Sequence, residues 1–207
     1  MKNKALIYVH DPMCSWCWGF EPVRKRLFDK LPKEVSIKTL LGGLAPDSNQ
    51  PMPKEMQSTL QRTWQKIQQA IPGTEFNFDF WINCQPRRST YPSNRAVIAA
   101  RLQGKEFESC MTLRIQKAYY LEGKNPSDNS TLIELANDIG LDKSKFKNDL
   151  SSDNVESELI QEIKICSELQ LNNFPSLAFY SNEKITPIKL DYLNEDNMLR
   201  EINEKYY

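Results

Sequence analysis

Two cysteines three residues apart, set where an apolar run gives way to a helical pattern, constrain this chain more than any other feature. Ala5-Leu6-Ile7-Tyr8-Val9 has the look of a buried strand. His10-Asp11-Pro12-Met13-Cys14-Ser15-Trp16-Cys17-Trp18-Gly19-Phe20 follows it and opens a helix. At i and i+3, Cys14 and Cys17 share one helical face at disulfide-forming range. Cys14 also falls where unpaired backbone N–H groups and the helix dipole favour a thiolate. A cysteine pair at such a junction reads as a dithiol site, with one sulfur exposed and one shielded. A zinc site would need four closely spaced ligands, and no second Cys-x-x-Cys accompanies His10 and the pair. His10, the sole histidine, reads as a strand-end residue. No nucleophile elbow supports a Ser-His-Asp reading.

The first helix is expected to run from near Met13 to about Lys30, where Leu31-Pro32 stops it, with Pro22 kinking it. Val35 to Leu41 reads as a second strand ending at Gly42-Gly43, so strand, helix and strand form a βαβ unit with a parallel pair. The middle of the chain is helical. Met56, Leu60, Trp64, Ile67 and Ile71 recur at helical spacing, a second helix follows Pro92 through Ala100, and a third carries Phe107, Met111, Ala118 and Leu121. Thr131 with Glu134 resembles a capping box for a helix ending at Gly140, Asp142 caps a short one, and Val155, Leu159, Ile163 and Cys166 mark a longer one. Phe76, Phe78 and Phe80 alternate as in a strand but have no evident place. Phe174 to Tyr180, a turn at Ser181-Asn182, and Ile185 to Leu190 suggest an antiparallel hairpin, followed by a helix capped by Asn194 or Asp196.

The 207 residues suit one large domain or a domain with an insertion. The pattern divides into a discontinuous sheet domain at 1–43 and 172–207 and a helical insertion at 44–171. Basic and acidic residues balance at 27 each without blocks of one sign, so neither nucleic acid nor an anionic membrane is an expected partner. No segment has the length of a bilayer span, the apolar run before the cysteines is shorter than a signal-peptide core, and a chain starting at Met1 reads as cytoplasmic. Five scattered cysteines are not a disulfide framework. Cys110 and Cys166 fall in apolar stripes and are expected to be buried thiols, and Cys84, in a polar stretch, an exposed spare one. Trp18 and Phe20 are expected to bury against the sheet.

Several segments carry a resemblance: Asp11 to Phe20, Leu41-Gly42-Gly43-Leu44, Ser89-Thr90-Tyr91-Pro92, Arg95 to Ala100, and Phe174-Pro175-Ser176-Leu177. The chain resembles the DsbA-like branch of the thioredoxin superfamily, and within it the FrnE-type oxidoreductases and predicted protein-disulfide isomerases of bacteria. The resemblance implies an α/β thioredoxin-like fold with a large all-helical insertion. It implies that Cys14 is the nucleophile, that Cys17 resolves the mixed disulfide, and that Pro175 is cis and faces the pair. Phe174 then offers its backbone to an extended substrate. Protein or peptide thiols and disulfides are the implied partners. No cofactor is implied beyond the dithiol itself, with thioredoxin or glutathione as electron partner. Ser15-Trp16 departs from relatives that carry histidine or proline between the cysteines. Tyr8 stands where thioredoxin has a buried acid, and Asp11, the nearest carboxylate, reads as a turn or capping residue. Trp16, with Met13 and Phe174, is expected to form an apolar lip for substrate. Two other functions fit parts of the pattern. One is a glutathione-dependent isomerase or transferase of the 2-hydroxychromene-2-carboxylate isomerase or kappa-class type, whose helix start carries serine instead of a dithiol. The other is a non-enzymatic chaperone or adaptor with passive cysteines.

Overall fold

The computed structural model describes residues 4–206. It opens with β1 (Lys4–His10), α1 (Ser15–Lys30) and β2 (Val35–Leu41), and closes with β3 (Ser176–Ser181), β4 (Lys184–Ile188) and α9 (Glu195–Tyr206). The sheet order is β2-β1-β3-β4, with β1 parallel to β2 and antiparallel to β3, and β3 antiparallel to β4. β1 is central and covered on both sides, which is why it reads as an unbroken apolar run. Leu6 and Tyr8 join Phe20, Val23 and Leu27 of α1 and Met198 and Ile202 of α9 on one face. Ile7 and Val9 face Leu40, Ala178 and Cys166 on the other. Both faces of a strand that ends in the cysteine turn are therefore fixed by packing.

Between β2 and β3 lie α2 (Lys54–Ala70), α3 (Phe80–Asn83), α4 (Tyr91–Arg101), α5 (Phe107–Tyr120), α6 (Asn129–Asp138), α7 (Lys143–Leu150) and α8 (Asp153–Glu168). α4 to α8 share a core that includes Val97, Ile98, Met111, Leu132, Phe146 and Leu159. α8 returns this block to the sheet: Glu162 accepts a hydrogen bond from Leu41 N at 2.6 Å and pairs with Arg101 at 2.5 Å. A second, aromatic core gathers around Trp64 of α2. Among the described residues no helix is long and apolar enough to cross a membrane.

Several sequence expectations are corrected here. Cys110 is exposed, because the inward stripe of α5 runs through Met111, Ile115 and Ala118 and leaves position 110 on its outer flank. Cys84 is half-buried in the aromatic core, its thiol donating to Gly123 O at 3.0 Å. Phe76, Phe78 and Phe80 form no strand; a loop and the short α3 turn all three rings onto Trp64. Thr131 is no cap: α6 already begins at Asn129 with Asp128 at the N-cap position. Met56 is 37% exposed, because the first turn of α2 turns Gln57 inward instead. The hairpin turn is Asn182-Glu183, both at positive φ, one residue later than the sequence suggests. Trp18 leaves the sheet and stacks on Tyr120, ring centroids 5.8 Å apart, with Nε1 donating to Glu75 O at 3.0 Å. As the sequence suggests, Pro22 lies inside α1.

Candidate active site

β1 delivers the chain to a tight turn at its C-terminal end. Asp11 closes the turn twice, through Cys14 N to its carbonyl at 3.0 Å and Met13 N to Oδ1 at 2.7 Å. Cys14 occupies the N-cap position of α1 with extended backbone (φ −81°, ψ 115°), and its sulfur accepts from Cys17 N at 3.4 Å. A sulfur thus stands where helices usually carry a Ser or Asp oxygen. On its other side the Cys14 thiol donates to Phe174 O at 3.3 Å, across 160 residues of sequence. The Phe174–Pro175 peptide is cis. Gly42, whose N–H donates to His10 O at 2.8 Å, lies under the Phe174 ring, which a Cβ there would overlap. Cys14, Cys17, Phe174 and Pro175 thus meet at one corner of the sheet.

Both cysteines are buried: Cys17 is 0% exposed and Cys14 6%, so Cys14 is the less enclosed residue of the pair. Both are free thiols. The Cys17 thiol is raised well above its ordinary value, first by burial, then by its hydrogen bond to Cys14 and the Cys14 charge. Three phenols border the pair. Tyr8 and Tyr120 are held neutral chiefly by burial, as is Tyr192, and the charge of the cysteines pushes all three in the same direction. His10 stacks on Tyr8 with ring centroids 4.9 Å apart, and burial, then Arg24 and Arg101, depress its pKa to about 3. Its imidazole is neutral and gives the sulfurs no cation.

The other expected site residues divide. Trp16 is half-buried and meets Tyr192 edge-on at 5.3 Å, and Phe174 is also half-buried. Met13 departs from the expected lip: it is 8% exposed and turned into the aromatic core, with Ser127 Oγ 4.0 Å from its sulfur. Asp11 closes the turn, yet it also reaches Leu44, Thr90 and Asn94, which turn chemistry alone does not suggest. Tyr192 had no sequence signal, because it follows the hairpin without periodic context. Among the described residues no cluster of His, Cys, Asp and Glu suits a metal ion.

Comparison with known proteins agrees with this architecture. A protein-family profile described as thioredoxin matches residues 7–199. The ClpXP adapter protein SpxH of Bacillus subtilis is 28% identical over 184 residues, 88% of this chain and 60% of the relative, so the chain spans less than two thirds of that protein. The crystal structure of a protein from Nitrosomonas europaea, provisionally assigned as a protein disulfide isomerase, superposes with TM-score 0.84 at 25% identity, covering 99% of this chain and 97% of the other. The cytosolic disulfide reductase DsbM of Pseudomonas aeruginosa shares the fold at TM-score 0.76 and 22% identity, covering 98% of each chain. The fold is DsbA-like, and a match that begins inside β1 and ends inside α9 leaves one assignment: the chain belongs to the thioredoxin family.

Proposed function

We propose that the protein is a thiol–disulfide oxidoreductase that reduces or isomerises disulfides of proteins or peptides in the cytoplasm. One observation carries this reading: the Cys14 sulfur is held between Cys17 N and Phe174 O, with the fully buried Cys17 beside it. The Cys14 thiolate attacks a substrate disulfide, forming a Cys14–substrate S–S bond. The first substrate sulfur leaves as a thiolate and takes up a proton. Cys17 then loses its proton and attacks Cys14 Sγ, forming the Cys14–Cys17 disulfide and releasing the second substrate thiol. Two electrons pass to substrate, and two glutathione thiols, leaving as glutathione disulfide, or one dithiol donor such as thioredoxin restore the pair. The reaction needs no other cofactor. Once Cys14 is in a mixed disulfide its charge no longer opposes the Cys17 thiolate, so the second step eases when it is needed.

Trp16 and Phe174, with Tyr192 in place of the buried Met13, form the apolar lip for substrate. Trp16→Ala is expected to raise KM for a protein disulfide severalfold while leaving reduction of a small disulfide unchanged. Equal effects on both substrates would remove that role. For the central claim, Cys14→Ser is expected to abolish insulin-disulfide reduction, and Cys17→Ser to accumulate a mixed disulfide visible by mass spectrometry. Turnover by Cys14→Ser would sink the reading.

A second reading rests on the Bacillus relatives, which are ClpXP adapter proteins. An adapter role would use the same lip to hold a protein without turnover, and it predicts binding that survives Cys14→Ser. The glutathione-dependent isomerase or transferase reading has no such support, since both sulfurs are present.

A further inference from the structure

α5 carries two stripes with different destinations. Met111, Ile115 and Ala118 enter the helical core, while Ser109, Thr112, Leu113 and Gln116 line a cavity of about 370 Å³ whose other walls come from β1, β2 and α1. That volume falls at the lower end of the range for small-molecule sites. Neither the cysteines nor Phe174 and Pro175 line it. Polar side chains are sunk into this cavity: Tyr8 and His10 are 3% exposed, and Gln116 is 1% exposed. Among the described residues, His10 Nδ1 and Gln116 Oε1 have no hydrogen-bond partner. Buried polar atoms are normally paired, and an orphaned one costs stability. Folding alone gives no reason for a carboxamide at position 116, where an apolar side chain would pack without that cost.

The charged groups around the cavity are already engaged. Arg24 is held by Glu21 through two bonds of 2.6 Å, and Glu108 accepts from Thr39 and pairs with Arg101 at 3.4 Å. Burial, then Arg24 and Arg101, keep His10 neutral. Lys105 stands exposed at the rim. The interior therefore offers a phenol, an imidazole and a carboxamide, each able to donate and to accept without charge. An ionised group brought there would lose its hydration without gaining a counter-ion. A neutral group with a donor beside an acceptor would find partners for both. The remaining walls are apolar. Tyr8 and Phe28 meet edge-on with ring centroids 5.8 Å apart, Leu113 is half-buried, and Ile37 on the edge strand β2 is 39% exposed. Water would pair the polar atoms but leave these side chains wet.

We propose that this cavity is a binding site for a small, uncharged amide with a flat apolar body: the amide carbonyl and N–H pair with His10 and Gln116, and the body covers Phe28, Leu113 and Ile37. The site does not depend on the dithiol chemistry. Its walls belong both to the sheet with α1 and to the helical block, so an occupant ties the two together and stabilises the folded chain.

The test uses benzamide as the probe and benzoate as its charged counterpart of the same shape. Binding to the full chain is measured by titration calorimetry, beside the thermal midpoint. Benzamide should saturate a single site and raise the midpoint, and benzoate should bind about tenfold more weakly. Gln116→Leu keeps the bulk of the side chain and removes its hydrogen bonds, so it should weaken benzamide about tenfold. Ser109→Trp changes an exposed position on the rim, should obstruct entry and weaken benzamide to a similar degree, and keeps the test decisive if Gln116→Leu does not fold. Absence of saturable benzamide binding to the unaltered protein would overturn the proposal. So would an affinity within about twofold of the unaltered protein's in the folded variants. Benzoate binding as tightly as benzamide would overturn it as well, because Lys105 would then be holding an anion at the rim.

Discussion

The aromatic core and the cysteine corner are both buried, and they are built on opposite principles. Around Trp64 the order comes from shape: Phe76, Phe78, Phe80, Trp81, Tyr119 and Tyr120 surround it with centroids 4.9–6.1 Å away. At the cysteine corner the order comes from directed bonds, with Asp11 holding Met13 N and Cys14 N, and Phe174 O and Cys17 N both holding the Cys14 sulfur. Packing energy spreads over many contacts, whereas a hydrogen-bonded turn has a few positions on which its geometry depends. Damage to the first region should therefore appear as lost stability, and damage to the second as lost chemistry.

The largest test of that contrast is Trp64→Ala. Emptying the centre of the aromatic core should cost about 4 kcal/mol in urea unfolding. The folded fraction should keep its equilibrium with glutathione within about twofold. A large redox shift at unchanged stability would erase the distinction between the two regions.

The corner has a stability signature of its own in His10. Its folded pKa, about 3, lies below the ordinary 6.5, so between those values the unfolded chain binds the proton that the folded chain refuses. The stability linked to His10 is complete above pH 6.5 and drains away on acidification, by about 3 kcal/mol between pH 6.5 and pH 4. Asp11 and Glu162 act in the opposite sense, because burial raises both carboxyls and the stability linked to them fades as pH rises through their folded values. The His10 contribution is read by difference: His10→Phe keeps a ring against Tyr8 and should flatten the acid slope. An unchanged slope would place the acid sensitivity elsewhere.

The same contrast explains what could be read from the residues in order. β1 was legible because a strand buried on both faces spells a continuous apolar run, and β2, an edge strand exposed at Ser36, Ile37 and Lys38, because its β-branched residues end in Leu40-Leu41 before Gly42-Gly43. The dithiol was legible because i and i+3 cysteines need only one helix start to meet. Packing that joins distant segments left weaker traces. The Phe76, Phe78 and Phe80 alternation is a property of their shared target, Trp64, and imitates a strand only in one dimension. Thr90 lay in a segment already marked by resemblance, while Asn94 lay just outside it; nothing local says that either reaches a carboxylate 79 or 83 residues earlier. Cys110 shows the limit of stripe reading, since a one-position error on a helix rotates a side chain by about 100°.

Gly42 tests whether shape matters at the corner as well. A Cβ there would overlap the Phe174 ring, so Gly42→Ala has to displace the residue whose carbonyl receives the Cys14 thiol. About 2 kcal/mol of stability should be lost, together with slower attack on a substrate disulfide. Loss of stability with an unaltered attack rate would show that Phe174 O does not set the Cys14 geometry.

Trp18 is the smallest and most discriminating case, because it belongs to both regions. It follows Cys17 directly in α1, yet its ring stacks on Tyr120 of the aromatic core and its Nε1 donates to Glu75 O at 3.0 Å. If the regions communicate through packing, this residue is the bridge. Trp18→Phe keeps a smaller aromatic ring against Tyr120 and removes the donor, leaving Glu75 O to solvent, because that bond lies at the surface. The expected cost is about 1 kcal/mol in chemical unfolding, with the glutathione equilibrium of the cysteine pair unmoved. A shifted equilibrium would mean that the turn is positioned by the aromatic core as much as by its own hydrogen bonds. The directed-bond account of the corner would then give way to one in which shape sets both regions.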